Sequence, residues 1–170
     1  MQRDVLIDIT SSSIALNGWA AGQKPETLQL LTRGKLYQCG DKIYLQYAES
    51  PVTGLDGTVT TLRLQAGRVV LIRTGRYSWR QEFQSGQSST TRFRTPEGEL
   101  ALTVAPTLVQ VDMGENGGRM TLEYLLSFGG QDAATRHRLE VKVAPLQPHG
   151  SATFSISSTG KISIRPPAGN

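Results

Sequence analysis

The amino-acid sequence predicts an all-β protein, a single antiparallel barrel of about eight to ten strands. Three observations predict it. Apolar and polar residues alternate with period two along most of the chain, helical spacing with a recognisable cap is hard to find, and turn residues recur at hairpin-like intervals. A closed barrel is preferred to a sandwich because strands this long would otherwise present exposed edges to neighbouring molecules. No internal repeat of fixed period points to a propeller or a solenoid.

The elements follow in order. Residues 4–9 alternate as Asp-Val-Leu-Ile-Asp-Ile and suit a half-buried strand. A loop with Gly18, Gly22 and Pro25 follows, and a second strand over residues 28–37 is expected to bend near Gly34. Gly40-Asp41 marks a tight turn. In residues 42–49, Ile43, Leu45, Tyr47 and Glu49 share one face. Thr-rich residues 58–64 and apolar residues 69–74 make a hairpin around Ala66-Gly67. Residues 77–83 and 90–95 alternate on either side of a polar stretch at 85–89. Residues 99–113 read as one strand kinked at Pro106, whose missing N–H belongs at an edge or a bulge. Asn116-Gly117 is the strongest hairpin signal, and residues 119–128 and 135–143 supply the last two strands.

Pro145 and Pro148 mark a change of character, so residues 1–145 form the barrel domain and residues 146–170 an extension. Within the extension, residues 154–156 and 162–164 suit a small hairpin that docks on the barrel or pairs with a second subunit. The final Pro-Pro-Ala-Gly-Asn is expected to fray.

Composition narrows the classes of function. The chain has 170 residues, 38% hydrophobic and 19% charged, enough for one core without disulfide or metal staples. No apolar run approaches the roughly 18 residues of a membrane helix, and the start, Met1-Gln2-Arg3-Asp4, lacks the form of a secretory signal. The lone Cys39 accords with a reducing compartment, and a cytoplasmic protein is expected. The formal charge is +4, but basic residues are scattered from Arg3 to Arg165 among acids, which speaks against a nucleic-acid partner.

Residues 36–143 resemble the YwiB-like family, small uncharacterised bacterial proteins described as calycin-like or lipocalin-like β-barrels. The likeness rests on Lys42-Ile43-Tyr44-Leu45-Gln46-Tyr47-Ala48-Glu49, on Gly67-Arg68-Val69 leading to Arg73-Thr74-Gly75, and on Phe83-Gln84-Ser85-Gly86. Its best segment is Phe93-Arg94-Thr95-Pro96-Glu97-Gly98, similar to a Tyr-x-Thr-Pro-x-Gly turn, with Phe93 where a Tyr is more usual. The resemblance implies the calycin-like barrel and transfers no activity.

Chemistry-bearing motifs are few. The two histidines, His137 and His149, are not at metal-ligand spacing, and His137 between Arg136 and Arg138 reads as solvated surface. No nucleophile elbow, P-loop or dinucleotide fingerprint occurs, so no catalytic residue, metal or cofactor is assigned and an enzyme is not expected. The informative group is Tyr47, Glu49 and Arg73, with Gln81, Arg92 and Arg94 as neighbours: if Leu45 and Leu71 face inward, so do Tyr47, Glu49 and Arg73. An inward charge must be paired or solvated, so Glu49 and Arg73 are expected to pair and to anchor a small, partly apolar, anionic ligand. Two alternatives stand beside this one. The interior is filled by side chains and the C-terminal hairpin contacts partners, or Arg73, Arg76, Arg80, Arg92 and Arg94, with Tyr77, Trp79, Phe83 and Phe93, bind single-stranded nucleic acid.

Overall fold

A computed structural model describes residues 2–16, 24–129, 134–146, 153–156 and 162–165. Ten antiparallel strands form one sheet that curls into a nearly closed barrel: β1 (Gln2–Ala15), β2 (Glu26–Cys39), β3 (Lys42–Ala48), β4 (Thr58–Gln65), β5 (Arg68–Gly75), β6 (Trp79–Gln84), β7 (Ser89–Thr95), β8 (Gly98–Gly114), β9 (Gly117–Phe128) and β10 (Ala134–Pro145). Beyond them β11 (Thr153–Ile156) and β12 (Ile162–Arg165) pair with each other. The expected turn between these two and the frayed end at residues 166–170 lie outside the described residues. The one helical element among the described residues is a 3-10 turn at Pro51–Thr53, and no helix is long and apolar enough to cross a membrane.

The sheet runs β6-β5-β4-β3-β2-β1-β10-β9-β8-β7, so consecutive strands pair along the chain except β6 and β7, which form its two edges, and β1 meets β10 along a ladder from Val5↔Pro145 to Ala15↔Thr135. We call the end holding the β3–β4 and β5–β6 connections upper and the end holding the β4–β5 and β8–β9 turns lower. β1 continues well past the expected stop at Ile9, through Thr10 and three serines. Those residues carry no apolar signal, but β2 and β10 pair with them on both sides, and two ladders outweigh weak local preference.

Inside and outside follow from parity. Ile43, Leu45 and Tyr47 of β3, Leu62 and Leu64 of β4, Val69 and Leu71 of β5 and Trp79 and Phe83 of β6 join one buried cluster with Val5, Ile7, Leu122 and Val141. The kink at Pro106 is a bulge: Pro106 pairs with Tyr124 and Leu108 with Glu123, leaving Thr107 as the extra residue. It reverses parity along β8, with Leu102, Val104 and Pro106 buried above it and Val109, Val111 and Met113 packed on the core below it. Gly34 lies inward on β2 where any Cβ would collide with the Gln46 carbonyl and with Ile7. Its bareness lets β3 approach, and it lies under Tyr47.

The weak place in the wall lies between β6 and β7. Backbone hydrogen bonds join them at a single bridge, Ser78 with Arg94, at 3.0 and 2.9 Å. Side chains hold the rest. Trp79 Nε1 donates to Thr91 Oγ1 (2.8 Å), Thr91 Oγ1 donates to Gln81 Oε1 (2.9 Å), and Gln81 Nε2 donates to Ser89 Oγ and the Glu82 carbonyl (2.8 and 2.7 Å). The fully buried Gln81 thus satisfies backbone and hydroxyl groups that a missing ladder leaves over.

Candidate functional site

The lower interior is apolar, whereas the upper interior carries charge. Glu49, just past the upper end of β3, is only 7% exposed. Its backbone N–H donates to the Thr58 carbonyl (2.8 Å), and hydroxyls hold both carboxylate oxygens: Thr60 Oγ1 donates to Oε1 (2.6 Å) and Thr53 Oγ1, from the 3-10 turn, to Oε2 (2.8 Å). Arg73 faces it from β5, with Nε 3.9 Å from Glu49 Oε1. That distance gives Coulomb attraction without a hydrogen bond. The Arg73 side chain is 20% exposed, its Nε is buried without a hydrogen-bond partner, and its guanidinium carbon sits 5.5 Å from the centre of the Trp79 ring. The ring's π face steadies the cation while leaving its N–H groups uncommitted.

Two phenols flank this pair. Burial, helped by the neighbouring Glu49 carboxylate, pushes the Tyr47 hydroxyl far above the ordinary tyrosine range, with Arg73 opposing. Tyr124, opposite Pro106 at the bulge, is likewise raised by burial, and the Arg73 charge again works the other way. Arg73 therefore lies within electrostatic reach of both β3 and β9, on two sides of the interior. Tyr124 stacks on His137 (centroids 5.2 Å apart, planes 6° apart) and tilts against Phe83 at 5.0 Å.

His137 corrects the reading from sequence. It faces inward with Leu139, Val141 and Val143, meets Thr135 Oγ1 at 2.8 Å through Nε2, and has its pKa lowered by burial. Its parity could have revealed it. The flanking arginines point outward on the opposite parity and say nothing about the residue between them. Tyr47, Glu49 and Arg73 come together as expected, and Gln81 is buried but committed to the seam. Arg92 and Arg94 do not join them. They lie on the outer face, their side chains 76% and 71% exposed and both paired to Glu99 (3.2 and 2.9 Å), because Thr91 and Phe93 take the inward positions. Tyr77 precedes β6 in a bend instead of beginning it, yet its ring stacks on Phe93 at 5.9 Å. Among the described residues no group of three or more His, Cys, Asp or Glu side chains is arranged to hold a metal ion.

The comparison with family models gives a match over residues 13–141 to a domain of unknown function, DUF1934. The chain belongs to this family. Within sequence reach is the uncharacterized β-barrel protein YwiB of Bacillus subtilis strain 168, 28% identical over 106 residues that make up 62% of this chain and 73% of that protein. The crystal structure of the ywiB protein from Bacillus subtilis matches with a TM-score of 0.73 at 22% identity, covering 86% of this chain and 94% of that one. That likeness carries the fold. The match to the DUF1934 family takes in strands from both the charged upper interior and the apolar lower one, and neither its description nor the name of the relative assigns an activity.

Proposed function

We propose that the upper interior binds a small, partly apolar molecule through an anionic group held by Arg73, in a calycin-like, cytoplasmic barrel that acts by binding. The observation that carries this reading is a cation fixed over Trp79 and kept 3.9 Å from its only paired carboxylate among the described residues, with a buried Nε that has no hydrogen-bond partner. A purely structural ion pair would close to bonding distance, since desolvating a guanidinium is costly unless its donors are used. Thr53 and Thr60 occupy the Glu49 oxygens instead. Trp79 against the guanidinium and the buried Tyr124 supply aromatic surface on the donor's side of the interior, the usual make-up of a small-molecule site.

Native mass spectrometry of freshly purified protein tests for a retained ligand. Titration with 1-anilinonaphthalene-8-sulfonate, itself partly apolar and anionic, tests the anchor. Wild type should bind it saturably, and Arg73→Gln should weaken binding about tenfold or more, as expected for the loss of a charge-assisted hydrogen bond. Equal affinities in a folded variant would overturn the assignment.

A further inference from the structure

The outer wall is electrically divided in a way the linear sequence hides. Its outward positions on β2 to β6 carry Arg33, Lys35, Lys42, Arg63, Arg68 and Arg80 against one carboxylate, Glu82, which Arg68 holds at 2.7 Å. None of Arg33, Lys35, Lys42, Arg63 or Arg80 has a salt-bridge partner among the described residues, and the Nε atoms of Arg63 and Arg68 are buried without a hydrogen bond. The other half of the wall sets carboxylates beside most of its cations, although Arg136 has no salt-bridge partner among the described residues and Asp4 of β1 faces Lys35 across the boundary. Asp8 faces Lys142, Asp112 faces Arg119, Arg138 engages Glu123 and Glu140, and Arg92 and Arg94 share Glu99.

One row of the basic half crosses five strands in hydrogen-bond register: Tyr37, Tyr44, Arg63, Val70 and Glu82. Tyr37 and Tyr44 stack, with ring centroids 4.9 Å apart and planes within 4°. Stacking uses one face of each ring, and both rings remain partly exposed on the outer wall. Lys35 and Lys42 lie one step to either side of this row, and Arg63 stands next to Tyr44 within it. Tyr37 also lines a cleft of about 290 Å³ at the lower rim, with Arg3, Leu36 and Ile43.

We propose that this face of β2 to β6 binds single-stranded nucleic acid, with Tyr37 and Tyr44 as the base-stacking platform and Lys35, Lys42, Arg63 and Arg80 as phosphate contacts. Concentrated positive charge attracts any polyanion, but flat rings set among the cations favour unpaired bases, whose faces a duplex keeps buried in its own stack. A lipid surface is the poorer occupant. The apolar side chain in the row, Val70, is 1% exposed, and the exposed Val59 at the upper end of β4 stands apart from it, so the face offers no cluster of apolar anchors to insert into a bilayer. The surface lies outside the barrel and does not depend on the interior reading above.

Fluorescence anisotropy with a labelled mixed-sequence DNA or RNA strand about twenty nucleotides long tests the proposal. Full-length protein should bind at about 50 mM salt and lose affinity as salt rises, and Lys42→Gln with Arg63→Gln should flatten the log–log slope by about 0.7 for each phosphate contact removed. Tyr44→Ala should weaken binding about tenfold or more while leaving that slope unchanged. Tyr44→Leu, which keeps apolar cover if the alanine variant folds poorly, should weaken it likewise. Arg138→Gln on the other half of the wall and Arg73→Gln in the interior should bind as wild type. No binding by the single strand, equal binding by both Tyr44 variants and wild type, a preference for the matching duplex, or a preference for phosphatidylserine vesicles would each overturn it.

Discussion

The two halves of the barrel interior are built from the same strands with opposite chemistry. Below, Leu36, Leu64, Val69 and Met120 close the barrel with apolar contacts alone; above, Glu49, Arg73, Tyr47, Tyr124 and His137 are distributed over β3, β5, β9 and β10 and the turn after β3. The lower half obtains its stability from removing apolar surface from water. The upper half keeps charges where water is scarce, which is the weaker way to stabilise a fold and the more useful way to hold a ligand.

This contrast can be broken from the lower side first. Leu64→Ala empties a site 1% exposed and should cost about 2–5 kcal/mol by chemical denaturation, with the denaturant slope unchanged. On the upper side the two members of the ion pair should be unequal. Glu49→Gln leaves the Arg73 cation without its carboxylate and should cost about 2 kcal/mol, discounted from a fully buried pair because Arg73 touches solvent. Arg73→Gln should cost less, since Thr53 and Thr60 still satisfy Glu49; the reverse order in denaturation midpoints would mean that the carboxylate, not the cation, is the strained partner. At the seam, Thr91→Val removes the acceptor of Trp79 and the donor to Gln81, and should cost about 1–3 kcal/mol while speeding amide exchange in β6 and β7.

The smallest effect is a pH dependence. Burial lowers the His137 pKa below its ordinary 6.5, so the unfolded chain takes up a proton there before the folded one does. The stability tied to this neutral imidazole is fully present above pH 6.5 and is lost as pH falls through the folded value. His137→Phe should flatten the slope of melting temperature against pH in that acidic range. An unchanged slope would place the titrating group elsewhere.

Most of the fold was legible in the residues, because alternation reports a half-buried strand wherever one face meets a core. The pairing of Glu49 with Arg73 was legible for the same reason, as was the fault at Pro106. Three features were not. The serines at the end of β1 carry no pattern, so only the partner strands reveal that they extend it. Arg92 and Arg94 read as neighbours of Arg73, but the gap between β6 and β7 and the inward turn of Thr91 and Phe93 are facts of closure. The basic face was invisible because its six cations are drawn from five separate strands, and only the register sets them side by side.

The seam also says where this molecule could be cut. The first and last strands of the barrel are zipped along their length, whereas β6 and β7 share one backbone bridge and the short link at residues 85–88. A circularly permuted chain that begins at Gln87 would keep all ten strands in one unbroken ribbon, and what it gave up would be the one covalent tether across a seam otherwise closed by a single backbone bridge and side-chain hydrogen bonds.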